Sequence, residues 1–200
     1  MGARREARCP WVRCQDQSPA TTSQVLSELE RFDWLEVRGQ GPSNERYLRE
    51  PAPLLDAWAK QLATIRPPIL RRYYVPGAKS ETLTARVGHV LDVHGVQHAI
   101  SHEAAAQRYA PFLSNVSQVR VRALIGANAD AAIGDLEASV VNDGANLGLI
   151  DAKSSNELLA RKQIEGLWLD SPIQIYLDLL HGEGRSKETA EHFRKEGIGF

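Results

Sequence analysis

From residue 69 onward, short apolar runs alternate with segments of helical period. That alternation limits this part of the chain to α/β or α+β architectures. Residues 70–75, 97–100, 119–124, 138–141, 147–150 and 164–169 read as strands. Helices are expected over 80–94, with Leu83, Val87, Val90 and Leu91 inside, and over 101–110, where Ser101 is placed to cap. A short helix fits 128–134. Two more close the chain at 172–180 and 187–194, split by Gly182, Gly184 and Arg185. The pattern does not give the strand order.

The front of the chain has a different texture. Residues 1–17 are rich in arginine and lack an apolar period, so they read as an irregular lead-in. Ser18-Pro19 is a helix start, with serine at the N-cap and proline at the first helical position. Thr22, Val25, Leu26 and Leu29 then recur at helical spacing on one face, and Val25, Leu26 and Leu29 are expected to pack inward. The opposite stripe, Ala20, Ser23, Gln24 and Ser27, is small or polar. The helix is expected to stop near residues 31–33. Trp34, Leu35 and Val37, a turn at Gly39, Gly41 and Pro42, and Arg46, Tyr47 and Leu48 then make a β-hairpin. A second helix follows, with Leu54, Leu55, Trp58 and Leu62 on one face, ended by Pro67-Pro68. The expected division is therefore a lead-in (1–17), a helix–hairpin region (18–68) and a mixed α/β domain (69–200), an α+β chain as a whole.

Composition narrows the classes. Of 200 residues, 42% are hydrophobic and 24% charged, as in an ordinary globular chain rather than a disordered or fibrous one. No apolar run approaches the roughly 20 residues needed to span a bilayer. The start, MGARREARCP, lacks the apolar stretch of a secretory signal. Cys9 and Cys14 cannot make a disulfide framework, so the cytoplasm is the expected compartment. The net charge of -1 conceals an asymmetry. Residues 1–72 carry 12 Lys and Arg against 9 Asp and Glu, whereas residues 73–200 carry 12 against 16. A mildly basic front half gives weak support for a nucleic-acid contact there.

Helix, strand, glycine turn, strand is the order found in the back half of a winged helix-turn-helix, whose second helix enters the major groove. The outer stripe here has no bulky apolar residue, so it can approach base edges. Gln24 can hydrogen-bond a base, adenine being its bidentate partner. Ser18 and Thr21 sit in the first turn, where hydroxyls and backbone N–H groups suit a phosphate. The candidate DNA-binding residues are Ser18, Pro19, Ala20, Thr21, Ser23 and Gln24 on the helix, with Arg38, Ser43, Asn44 and Arg46 on the hairpin. The same pattern arises in any amphipathic helix followed by a hairpin.

SPATTSQVLSELE resembles the recognition helix of many bacterial regulators, S-x-x-T-V-S-R-V-L. Thr22 stands where those families usually have valine, and Gln24 where they often have arginine. The longer stretch SPATTSQVLSELERFDWLEVRGQGPSNERYLREPAPLLDAW resembles the winged-helix segment of AbiEi-family antitoxins of type IV toxin–antitoxin systems, including a G-x-G-P-S wing and a P-x-x-L-L-D-x-W helix. SPIQIYLDLLHGEGRSKETAEHFRKEGI resembles that family's closing pattern. The matches cover about residues 18–68 and 171–198. The resemblance implies a repressor that binds operator DNA, as inverted repeats in its own promoter. It also implies an α/β domain needed to counter a nucleotidyltransferase toxin without a stable complex. No enzymatic activity, cofactor or membrane is implied. A complete winged helix has two helices before its recognition helix. Only 17 residues precede Ser18, and they do not read as those helices, so the motif is expected to be incomplete.

Asp151-Ala152-Lys153 follows an apolar strand, with Asp135, Glu137 and Asp143 upstream. Restriction-type nucleases hold Mg²⁺ with a D-x-K strand and an earlier acid. The spacing here is loose and D-x-K is common by chance, so a solvated strand end without a catalytic metal is expected. An interaction module acting through the C-terminal domain alone is the other alternative. His89, His94, His98 and His102 do not fit H-E-x-x-H and read as surface and cap histidines. Cys9 and Cys14 lack a second ligand pair. No G-x-G-x-x-G, Walker-type loop or G-x-S-x-G occurs. Gln174, Tyr176, Asp178 and Arg185 are expected to pack and cap helices, with Asp178 and Arg185 paired.

Overall fold

A computed structural model describes residues 19–39, 41, 45–77, 80–182 and 184–200. The chain is α+β. It runs α1 (Pro19–Arg31), β1 (Leu35–Arg38), β2 (Glu45–Leu48), α2 (Pro51–Leu62), β3 (Leu70–Tyr74), α3 (Ser80–Val93), β4 (His98–Ser101), α4 (His102–Tyr109) and β5 (Val119–Ala123). It continues with α5 (Ala127–Asp135), β6 (Ser139–Val140), β7 (Leu147–Asp151), β8 (Lys162–Ile164), β9 (Leu167–Leu169), α6 (Pro172–Leu180) and α7 (Ser186–Phe193). The lead-in, Ser18, Pro42, Ser43 and Asn44 lie outside the described residues.

The first unit is α1 followed by the antiparallel pair β1–β2, in register Leu35 with Leu48 through Arg38 with Glu45. Its internal contacts include a backbone bond from Arg49 N–H to the Trp34 carbonyl and a stack of Phe32 on Trp34. Leu26 and Leu29 are only partly covered. Val25, expected inside, is 51% exposed. The reason is thinness: a two-stranded hairpin offers too little surface to cover a whole helix face. Trp58 of α2, also expected on a packed face, is exposed as well, whereas Leu55 is buried in the core of the larger sheet.

That sheet has seven strands in the order β6-β3-β7-β5-β4-β9-β8. It is mixed: β5 lies parallel to β7 and β4 to β9, and the other pairs are antiparallel. The segment 164–169, expected as one strand, straddles two. Glu165 and Gly166 both take positive φ there and turn β8 into β9. Alternation along the central strands divides the residues between two faces. Register puts Ile100, Val121, Leu149, Val119 and Leu147 on one face, toward α3. Gly88 permits the close approach, since a Cβ there would meet Leu167 Cδ2 at 2.9 Å. The other face carries Leu70, Arg72, Gly148, Ile150, Arg120, Arg122 and Ser101. Helices α4, α6 and α7 pack together on that side, with Phe193 fully buried and edge-on to Tyr109.

Candidate functional site

Two places carry the chemistry. The first is the outer face of α1. Ala20, Thr21, Ser23 and Gln24 are all exposed along it, and Pro19 opens the helix. Of the four hairpin candidates, Ser43 and Asn44 lie outside the described residues, while Arg38 and Arg46 are placed. Both arginines meet carboxylates of their own unit. Arg38 donates to Glu36 at 3.3 Å and lies over the Tyr47 ring. That bond holds the Glu36 carboxyl below its ordinary pKa. Arg46 donates to Glu30 at 2.5 Å. Arg31 pairs with Glu28 and Arg49 with Asp33.

The second place is a cavity of about 640 Å³ over the polar face of the large sheet. Its floor is β3, β5 and β7. Its walls come from α6, from the stretch that follows α2, and from the loop before β7. Asn146 fixes that loop: its side-chain oxygen accepts from Val75 N–H and its amide donates to the Val75 carbonyl, both at 2.8 Å.

Beside the cavity lies a buried ion network built on Arg122, which is 5% exposed. Its Nε donates to Asp170 at 3.1 Å and its Nη2 to both Asp178 oxygens at 2.9 Å. Burial opposes the charge on Arg122, but the two aspartates overcome it and hold its pKa above the ordinary value. Burial pushes Asp170 up to about 6 against the opposing pull of Arg122. Ser171 caps α6 by accepting from Gln174 N–H, and Gln174 then donates from its side chain to Asp178 at 2.8 Å. Ser101 donates its hydroxyl to Asp178. The α6 pattern read as packing and capping is thus also half of an ion network. Asp178 does not pair with Arg185, which instead meets Glu188 at 2.9 Å. Side-chain direction decides this: Asp178 points to the sheet, whereas Arg185 sits on an exposed turn.

His102 completes the network. It follows β4 with a φ of 54°, a left-handed conformation that a side chain rarely takes and that stores strain. Its Nδ1 lies 3.0 Å from Ser101 Oγ. The single hydroxyl proton of Ser101 goes to Asp178, so Nδ1–H is the donor in this contact. Burial lowers the His102 pKa to about 4 against the pull of Asp178, which makes the ring neutral at pH 7. Nε2 is then an acceptor. His102 and His98 are therefore not surface residues, as the sequence pattern suggested; both are buried. His98 sits inside β4, donates from Nδ1 to the Val96 carbonyl at 2.9 Å, and has its pKa lowered by burial. His94 pairs with Asp135 at 2.7 Å and His89 is exposed.

Asp151 and Lys153 both line the cavity, with Arg71 3.9 Å from Asp151. Among the described residues no three His, Cys, Asp or Glu side chains converge as a metal site. Of the distant acids, Asp143 lines the cavity too, whereas Asp135 is occupied by His94. Sequence reasoning missed Arg120 and Arg122 entirely. The signal was present in Val-Arg-Val-Arg-Ala: an arginine at every second position of a strand flanked by apolar strands demands a buried counter-ion.

No protein-family model, curated protein or solved structure matches the chain. Among the described residues no helix is long and apolar enough to cross a membrane.

Proposed function

We propose that this chain is a DNA-binding repressor and antitoxin of the AbiEi kind, acting against a nucleotidyltransferase toxin without a stable complex. The observation that carries the reading is α1. It sets an exposed stripe of Ala20, Thr21, Ser23 and Gln24 beside an antiparallel hairpin that bears Arg38 and Arg46. Small and polar side chains let the backbone approach a groove, and Gln24 has the geometry to read adenine. The carboxylate partners of Arg38 and Arg46 do not oppose this. Exposed ion pairs are worth about 0–1 kcal/mol, so a phosphate can replace a glutamate at small cost.

The test is a titration of the full chain on duplex DNA from upstream of its own gene and on random duplex, at two salt concentrations. Gln24→Ala is expected to weaken binding by about 1–3 kcal/mol on the promoter and to relax preference at one position. Equal loss on every sequence would make Gln24 a backbone contact, and no binding to either duplex would remove the reading. If a nucleotidyltransferase is encoded beside the chain, co-expression should relieve its toxicity, while the two proteins separate on a sizing column.

A second reading has one observation in its favour: Asp151 and Lys153 both border the cavity, although strand alternation turns the Asp151 side chain toward Arg71 on the other face. A nuclease-like enzyme would use them on a metal-activated water. Mg²⁺-dependent DNA cleavage that is abolished in Lys153→Ala would establish it.

A further inference from the structure

We infer that the cavity over the polar face of the large sheet is a binding site for a free α-amino acid with a large apolar side chain. The assignment rests on opposite charges that the fold brings to one end of the cavity, beside an apolar patch. An α-amino acid carries its carboxylate and its ammonium on a single carbon, so its site needs cations and acceptors side by side.

The cations are Arg72 and Arg120. Register places them on β3 and β5, on one face of the sheet and on either side of Gly148 of β7. Arg72 donates to the Asn142 carbonyl at 3.3 Å, and Arg120 to the Gln118 side-chain oxygen at 2.8 Å. Both oxygens are neutral, so these bonds orient the guanidiniums without cancelling their charge. Glu103, 4.0 Å from Arg120, offsets part of that one charge and accepts the Ser186 hydroxyl. Paired arginines suit a carboxylate, which they bind through charge-assisted hydrogen bonds.

The acceptors lie at the same end. Asp143 follows Asn142, whose carbonyl meets Arg72, and it borders the cavity. The Gln118 amide donates to the Ala145 carbonyl at 3.3 Å, which holds this loop against the end of β5. His102 follows Ser101, the register partner of Arg120, and also lines the cavity. Its Nδ1–H is committed to Ser101, so Nε2 is the ring acceptor left for a ligand. His102 keeps this place with a φ of 54°, the kind of strain that clusters at binding sites. Asp143 and His102 together can take two of the three hydrogens of an ammonium.

The apolar patch adjoins this end. A Cβ on Gly148 would meet Leu70 Cδ1 at 2.9 Å and Arg120 Cγ at 3.3 Å, so the missing side chain lets Leu70 lie over β7 next to Arg120. Ile150 pairs with Leu70 in register, and Leu177 of α6 lines the cavity with them. Farther along, Lys153 and Glu157 are both present, Arg122 is held by Asp170 and Asp178, and Asp151 turns away toward Arg71. That end prefers neither sign of charge. A plain anion would face Asp143, and a plain cation would face two arginines. A zwitterion satisfies both, and an apolar side chain then gains burial on Leu70, Ile150 and Leu177. The volume of about 640 Å³ falls within the range of small-ligand sites.

Calorimetry and thermal melting of the full chain with leucine, isoleucine, methionine and phenylalanine test this. At least one is expected to bind and raise the melting temperature. Its N-acetyl derivative lacks the ammonium and its amide lacks the carboxylate. Each should bind about tenfold more weakly or worse, and so should glycine, which lacks the side chain. Arg72→Gln and Asp143→Asn change exposed side chains. Each should weaken binding of the amino acid about tenfold while the unliganded melting temperature stays unchanged. Asp143→Asn should not weaken the N-acetyl derivative further, which ties Asp143 to the ammonium. Gln24→Ala should bind as the parent does, which separates this site from DNA reading. No binding by any of the four at millimolar concentration, an amide that binds as well as its acid, or an undiminished Arg72→Gln would overturn the assignment. Inorganic phosphate that raises the melting temperature more than every amino acid would show a plain anion site and overturn it as well.

Discussion

The α1–hairpin unit and the seven-stranded sheet use the same charged residues in opposite settings. In the unit, Arg31, Arg38, Arg46 and Arg49 meet Glu28, Glu36, Glu30 and Asp33, and most of these side chains are widely exposed to water. In the sheet, Arg122 meets Asp170 and Asp178 with side-chain exposures of 7%, 2% and 11%. Water screens the first set, so each pair contributes little and each arginine can change partner. The second set has lost its water. Its members depend on each other, because an uncompensated buried charge is costly. The proposed DNA-binding reading needs the first arrangement, because partners must exchange; a cavity floor that must hold its shape needs the second.

Four measurements would break or sharpen this contrast. The largest effect is expected for Arg122→Ala, which strands two buried aspartates. It should cost about 3–5 kcal/mol in urea unfolding. Adding Asp178→Asn to it should recover part of the loss, and an additive or larger loss would show that the network is not a unit. Next is Leu169→Ala, at a fully buried site of β9, expected to cost about 2–5 kcal/mol. Val25→Ala on half-exposed α1 should fall within about 0.5 kcal/mol. Similar costs at both sites would mean that α1 is covered in solution.

The third measurement is pH. Asp170 is raised to about 6, chiefly by burial, with Arg122 and Asp178 beside it. An acid with a raised folded pKa contributes stability that is complete below its ordinary value of 3.8 and is lost as pH rises through about 6. His102, lowered to about 4 by burial among Asp178, Arg120, Glu103 and Arg122, works in the other direction. Its contribution is present above 6.5 and is lost as pH falls toward 4. The two oppose one another between about pH 4 and 6, so the parent protein should show a shallow dependence there. In His102→Gln, stability should fall as pH rises through that window. In Asp170→Asn, it should fall as pH drops. Steep dependence in the parent, or no change of slope in either variant, would refute the balance. The smallest effect is expected for Arg46→Ala, at most about 1 kcal/mol and reduced further by salt.

Elements marked by local chemistry were legible in the sequence. Helix α6 begins and ends where Ser171, Pro172 and the following apolar spacing place it, because a capping side chain acts on backbone only three residues away. The hairpin after α1 was equally readable from its glycine turn. The reading failed where a contact depended on distant chain. Val25 has the right spacing for a packed face, but spacing does not say whether a second layer exists to cover it. His98 and His102 looked like surface residues until β4 proved to be a central strand, covered on both sides.

By itself, the sequence determined the alternation of strands and helices, the helix–hairpin at the front and the polar stripe along α1. These follow from steric preferences and hydrophobic periods that operate over a few residues. Only the tertiary structure decided the strand order, the cavity and the partners of Arg122. Its carboxylates lie 48 and 56 residues away, and Ser101 reaches Asp178 across 77. No local propensity encodes pairings at that separation. They form because a charge carried into the interior by β5 must find its counter-charge there, and the register of the sheet determines which one it meets.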